Sequence, residues 1–187
     1  TALGSCRYKL PPFEVDSEIY EKIASKFEEY DIKALFYIGG NDSMDTVVKL
    51  CDFFEKTKKD IKVIGIPKTI DNDLCETDHT PGFGSAAKYL ATSLLEIIRD
   101  SSVYDLKSVT IVEIMGSHAG WLTASSCVLK ANGENAPHLI YLPECNFSVD
   151  KFLSDIKEQF KIRKTVVVAI SEGVKLEGAK YQSNKTD

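Results

Sequence analysis

Two polar loops carry most of the residue types in this sequence that can handle a charged substrate. The first, Gly39-Gly40-Asn41-Asp42-Ser43, follows the apolar run from Ala34 to Ile38, and the second, Lys68-Thr69-Ile70-Asp71-Asn72-Asp73, follows Ile61 to Pro67. Several carboxylates, a lysine and amides around a glycine turn suit a metal-bound phosphate. Glycine lets backbone N–H groups approach an anion, and the start of a following helix favours negative charge. Asp71 and Asp73 can divide the work, one taking a proton from a hydroxyl nucleophile while the other holds or orients a metal. Like charges at short range raise one pKa, which helps a base unless a cation offsets it. Lys68 can neutralise phosphate charge in a transition state. Each loop also has a plainer reading. The first fits a left-handed turn with an N-cap, and the second a solvated acidic turn with an Asx bend at Asn72.

Strands must deliver both loops, and the hydrophobic pattern supplies them. Ile19, Ile23 and Phe27 recur every fourth residue within Asp16–Tyr30, which predicts an amphipathic helix. Ala34–Ile38 and Ile61–Ile66 read as buried strands ending at glycine or proline, so their loops reach the carboxyl edge of a parallel sheet, where α/β proteins bind ligands. Between them, Ser43 or Asp42 is the expected N-cap of a helix to about Lys58, with Met44, Val47, Val48, Cys51 and Phe54 buried. That β-α-β crossover is expected to be right-handed. A helix is expected from Pro81 to about Arg99, with proline at its first position. Further expectations are strands at Val109–Met115, His138–Leu142 and Thr165–Ile170, and helices at Ala119–Lys130 and Val149–Ile162, with Asn132-Gly133 stopping the former. The alternation predicts an α/β fold with parallel sheets flanked by helices. The long Lys68–Thr80 connection is of the kind that carries function.

Totals exclude several classes. At 43% hydrophobic and 27% charged, the 187 residues suit one large or two small globular domains. A net charge of −5 argues against a nucleic-acid or anionic-membrane surface. The cluster Lys56, Lys58 and Lys59 reads as a solvated helix end. No apolar run approaches the roughly 18 residues that span a bilayer. Five scattered cysteines form no C-x-x-C pair, so zinc and redox motifs fail, and an odd count read without a secretory leader leads to the expectation of a reducing cytosol. Thr1 in place of methionine, and an ending in KYQSNKTD soon after a strand, lead to the expectation of a fragment cut at both ends.

Glu172 and Arg7 are unremarkable alone, fitting a surface acid at a strand end and a solvated arginine. His118 reads as a base or as a cap at a helix start, and Trp121 as core or as a stacking platform. His79 and His138 receive no role.

Taken together, the motifs resemble the 6-phosphofructokinase family. The matching pieces are LGSCR (Leu3–Arg7), IGGNDS (Ile38–Ser43), IGIPKTIDND (Ile64–Asp73), TDHTPGFGSA (Thr77–Ala86), VEIMGSHAGW (Val112–Trp121), LPE (Leu142–Glu144) and AISEG (Ala169–Gly173), in the family's order over nearly the whole chain. By that resemblance Asp71 is the base for the 1-hydroxyl of fructose 6-phosphate. Thr69 and Asp73 contact the sugar or the reacting phosphate. Met115, Gly116 and Glu172 bind the sugar, and Arg7, Gly40 and Ser43 lie on the donor. The resemblance implies donor-binding residues 1–81 and sugar-phosphate-binding residues 82–187, both incomplete. It further implies Mg²⁺, a cytoplasmic glycolytic enzyme and a homo-oligomer.

Two positions bear on the donor. ATP-using members read G-G-D-G-S and P-G-T-I-D-N-D, whereas this chain has Asp42 and Lys68 at the glycine positions, the pattern of the pyrophosphate-dependent branch. Asp42 would crowd and repel a nucleotide α-phosphate, while Lys68 can hold a pyrophosphate oxygen. Reversible phosphoryl transfer from pyrophosphate, with Mg²⁺ bridging its oxygens, is therefore the expected activity.

Two departures stand out. Asn41 occupies the place of an aspartate near the metal and brings no charge, and Ser117 replaces an arginine that helps bind the sugar. Ser108 stands near a position often basic, with Lys107 as its substitute. An ATP-dependent enzyme and a non-catalytic regulatory subunit are the alternatives, separable by donor assay and by sugar binding without turnover. A dinucleotide-binding domain ranks last, because no G-x-G-x-x-G follows a strand. The 187 residues alone lack the family's N-terminal donor loop and a later basic segment, so they are expected to be inactive by themselves.

Overall fold

Five strands and six helices alternate in the computed structural model, which describes residues 8–175. They form two compact units, Thr1–Thr69 and Ile70–Asp187.

In the first unit, helix α1 (Ser17–Glu29) starts at Asp16, whose carboxylate accepts the Ile19 N–H at 3.3 Å. That bond satisfies one of the donors a helix start leaves open. Strand β1 (Ala34–Gly39), helix α2 (Asn41–Lys56) and strand β2 (Lys62–Pro67) make one β-α-β unit with parallel strands, Ala34 opposite Lys62 and Gly39 opposite Pro67. The core is aromatic. Tyr20, Phe53 and Phe54 are buried, and Phe13 packs against Tyr20 and Phe53 with ring centroids 5.6 and 5.2 Å apart. After α2, Lys58 turns left-handed at φ +56, Lys56 pairs with Glu14 and Lys59 with Glu28. These charges therefore close a helix end, and such exposed pairs contribute little to stability.

In the second unit, helix α3 (Phe83–Ser101) precedes strand β3 (Ser108–Ile114). The short helices α4 (Trp121–Ser125) and α5 (Val128–Ala131), strand β4 (Leu139–Tyr141), helix α6 (Val149–Gln159) and strand β5 (Thr165–Ser171) follow. The sheet order is β3-β5-β4 and every pairing is parallel. Central β5 buries Val166, Val167, Val168 and Ala169, as the middle strand of a covered parallel sheet must. Leu94, Leu122 and Leu129 pack with Ile114 and Ala169, while Ile156 packs with Val166 and Val168.

Three expectations are corrected. Pro81 lies outside α3, because Gly82 at φ +106 forms the cap and the helix begins at Phe83. The single helix expected over Ala119–Lys130 is two, with Ser126 and Cys127 taking i→i−3 bonds to Thr123 and Ala124. Ser125 also bonds back to the Leu122 carbonyl at 2.6 Å, a contact that bends helices. Trp121 is 57% exposed and is not core. Ile70, the first residue of the second unit, joins the apolar cluster of α3.

His138 belongs to this scaffold. Its Nδ1 accepts the Val167 N–H at 2.8 Å, and burial, followed by the nearby Arg163 and Lys130 charges, holds its pKa down at about 4. The unfolded chain, with a histidine near the usual 6.5, binds a proton that the folded chain refuses. This contribution to stability is fully present above about pH 6.5 and is lost as pH falls towards about 4. Urea midpoints across that window should fall less in a His138→Asn variant than in the parent.

Candidate active site

The donor-type residues gather at the carboxyl ends of β1 and β2. The Lys68 N–H donates to the Gly39 carbonyl at 2.9 Å, which continues the strand pairing into the loop. The Lys68 ammonium consequently lies 3.8 Å from where a Cβ on Gly40 would sit. Gly40, neither Asp42 nor Ser43, caps α2, and no side chain accepts from the first turn. The expected N-cap is corrected accordingly. Ser43 instead folds over Gly39 so closely that any side chain at position 39 would collide with its Cβ and hydroxyl. Asn41 and Asp42 are exposed on the first turn, and the Asp42 carbonyl accepts the Thr46 hydroxyl at 3.0 Å. One ammonium, one carboxylate and a helix start without a side-chain cap thus share the first unit's strand ends. That arrangement can hold an anion through charge and backbone donors. Thr69 closes this unit and is half-buried.

In the second unit the acidic loop is held by its asparagine. Asn72 is buried at φ +58, where its Nδ2 donates to the Asp78 carbonyl at 3.1 Å and its Oδ1 accepts the Thr80 N–H at 2.9 Å. The amide therefore closes the loop across eight residues, and both the left-handed backbone and the two-way bonding suit asparagine. Asp71 on one side of it is half-buried and Asp73 on the other is exposed. Asp71 keeps its Oδ1 buried, whereas the Asp73 side chain faces solvent on the other side of the fixed amide.

The third set assembles at the ends of β3 and β5. Gly116 sits at φ +138, and a Cβ there would lie 2.5 Å from the Ala119 carbonyl oxygen. No other residue fits this turn. The Gly116 N–H donates to Glu172 Oε1 at 3.0 Å and the Ser117 hydroxyl to the same oxygen at 2.9 Å. Buried Ser171 donates to the Gly116 carbonyl at 2.6 Å, and Gly173 lies so close to the Ser117 carbonyl that a side chain there is excluded. Met115 next to this turn is 56% exposed. Ser117, a departure in the sequence, thus orients the glutamate. Ser171 was not among the candidates, and no local pattern marks it, because a serine before a glutamate at a strand end has no distinctive spacing.

Arg7 lies outside the described residues. His118 is exposed, and His79 stacks on Phe83 with centroids 6.2 Å apart. Among the described residues no group of three or more His, Cys, Asp or Glu converges as a metal cage. A cavity of about 440 Å³ at the start of β5, lined by Arg99, His138, Arg163 and Thr165, includes none of these loop residues.

The chain is thus a parallel α/β protein whose polar side chains collect on loops beyond the carboxyl strand ends, the class in which such loops bind small substrates. The family model described as phosphofructokinase matches residues 1–186, and the chain belongs to that family. It is 40% identical over 190 residues to the pyrophosphate–fructose 6-phosphate 1-phosphotransferase of Halomonas elongata, a match covering all of this chain and 45% of that protein. It is 38% identical over 173 residues to a sulfofructose kinase of Alkalicoccus urumqiensis, covering 92% of this chain and 44% of that one. Among solved structures, the pyrophosphate-dependent phosphofructokinase of Marinobacter aquaeolei aligns with a TM-score of 0.78 at 41% identity, covering 95% of this chain and 44% of its own. The chain therefore spans less than half the length of these relatives.

Proposed function

We propose that the protein carrying this chain transfers a phosphoryl group from pyrophosphate to the 1-hydroxyl of fructose 6-phosphate, reversibly, giving fructose 1,6-bisphosphate. The observation that carries this reading is the Lys68 ammonium over the Gly40 turn, with Asp42 on the helix start beside it. A lysine there meets a compact dianion and offsets its charge, whereas the Asp42 carboxylate opposes a longer nucleotide phosphate chain. The names of the relatives support the same donor.

In this reading residues 1–81 serve the donor and residues 82–187 the sugar phosphate. Asp71 takes the proton of the 1-hydroxyl as its oxygen bonds to phosphorus, and the bond from that phosphorus to the departing phosphate breaks. Lys68 holds the departing phosphate. Thr69 and Asp73 orient the reacting groups, Met115, Gly116 and Glu172 receive the sugar, and Gly40, Ser43 and Arg7 contact the donor. In the second unit, Glu172 Oε1 is occupied by Gly116 and Ser117, so Oε2 is the oxygen available to a sugar hydroxyl.

Mg²⁺ takes one or two carboxylates together with phosphate oxygens and water, so it needs no protein cage. Exposed Asp73, set by the Asn72 bridge, has the donor chemistry for it, while Asn41 offers only a neutral amide oxygen. When bound, the ion supplies charge neutralisation on the pyrophosphate oxygens. A cytoplasmic glycolytic homo-oligomer completes the reading. No helix among the described residues is long and apolar enough to cross a membrane.

The test is phosphorylation of fructose 6-phosphate by the protein carrying this chain, with Mg²⁺ and either pyrophosphate or ATP. Turnover with pyrophosphate alone is expected. Turnover with ATP alone would overturn the donor assignment, and silence with both in a folded protein would favour a regulatory subunit.

A further inference from the structure

The LPE segment after β4 takes no part in the roles above, yet it grips the turn that carries Met115 and Gly116. Glu144 Oε1 accepts the Gly120 N–H at 2.7 Å. Gly120 is buried, and a Cβ there would lie 2.6 Å from Glu144 Oε2, 2.8 Å from Pro143 Cδ and 3.1 Å from Leu142 Cδ2. The end of β4 therefore lies directly on Gly120, in a space that only glycine leaves open. At the other end of the same turn, Gly116 donates to Glu172. Two carboxylates from two strand ends thus take the first and last N–H groups of one five-residue turn, Gly116 to Gly120. Between those bonds stand exposed Ser117 and His118, and Ser117 is the residue that bonds Glu172.

We infer that Glu144 is a positioning residue for the sugar side of the site: it fixes the far end of the Gly116–Gly120 turn and thereby the placement of Met115, Gly116 and Ser117 against Glu172. The inference rests on the proposed reading of that turn as sugar-binding. A hydrogen bond to a charged carboxylate is among the stronger kinds, and losing it leaves the Gly120 N–H without that acceptor. Small misplacements of binding groups have large kinetic effects. Glutamine keeps an acceptor oxygen of the same reach without the charge, so it separates position from charge.

The experiment compares Glu144→Ala and Glu144→Gln in the protein carrying this chain, with fructose 6-phosphate and pyrophosphate each varied in turn. Alanine is expected to raise KM for the sugar by about 10- to 100-fold and to leave KM for pyrophosphate within about twofold. Glutamine is expected to restore most of the loss. Amide hydrogen exchange gives a second readout that needs no turnover: Gly116 to Gly120 should exchange faster in the alanine variant, with the thermal midpoint little changed. Unchanged sugar KM and unchanged exchange would overturn the inference. So would a uniform loss in both substrates with a lowered midpoint, which marks a folding role. If the parent protein shows no turnover the proposed function fails, and faster exchange confined to this turn would still uphold the clamp while unchanged exchange would overturn it.

Discussion

Asp71→Asn should lower kcat for phosphorylation of fructose 6-phosphate by about 10²- to 10⁴-fold, the usual worth of a positioned general base. Each factor of ten is about 1.4 kcal/mol of barrier, so the expected loss is about 3–5 kcal/mol. Asparagine keeps the size and hydrogen-bonding shape of the side chain but cannot accept the proton in the transition state. The loop should survive the change, since its closure comes from the neighbouring Asn72 bridge to Asp78 and Thr80. KM for both substrates should therefore stay within a few-fold. The reverse reaction should lose the same factor, because an enzyme cannot shift the equilibrium between substrates and products. Steady-state kinetics in both directions checks this. A raised sugar KM with unchanged kcat would make Asp71 a binding group and leave the base unassigned.

The second large effect concerns the donor. Lys68→Gly should reduce kcat/KM with pyrophosphate by about 10²- to 10³-fold, comparable to deleting one preorganised donor to a developing charge. The side chain removed is the one whose ammonium lies 3.8 Å from the Cβ position of Gly40, so the change also opens the space above the turn. Asp42→Gly removes the carboxylate at the second position of α2, and with it the repulsion proposed towards an extended phosphate chain. In the proposed reading the two residues face the same anion, so their effects are expected to be non-additive. The double variant should gain turnover with ATP that neither single variant reaches, with the sugar KM unchanged. Initial rates with each donor decide it. A double variant that loses pyrophosphate activity and gains none with ATP would show that these side chains bind pyrophosphate without selecting against ATP.

The polar loops were legible in the sequence because a strand that ends abruptly at glycine or proline leaves a short, local signature. The β-α-β alternation was legible for the same reason. Ile19, Ile23 and Phe27 place α1, and the apolar run at Thr165–Ile170 places the buried central strand, since periodicity records which face is covered. Caps were less legible. Gly40 in place of Ser43 starts α2 because Ser43 is packed over Gly39, a contact that chain order does not show. Trp121 read as core or as a stacking platform, yet α4 is only one turn and that side chain is 57% exposed.

What the sequence determined by itself was the inventory: a parallel α/β chain, two anion-suited loops and the acid pair around Asn72, while the contrast of Asp42 and Lys68 with the ATP-using pattern came from the family resemblance. These are properties of residues close together along the chain. Tertiary structure alone decided how distant residues share a turn. Glu172 and Gly116, fifty-six positions apart, meet because β3 and β5 are neighbours. Glu144 and Gly120 meet because the end of β4 lies on a glycine with no side chain to keep it away. Strand order within a sheet depends on long-range pairing, which no local pattern encodes, so the partners of those two glutamates could be read only after the chain had folded.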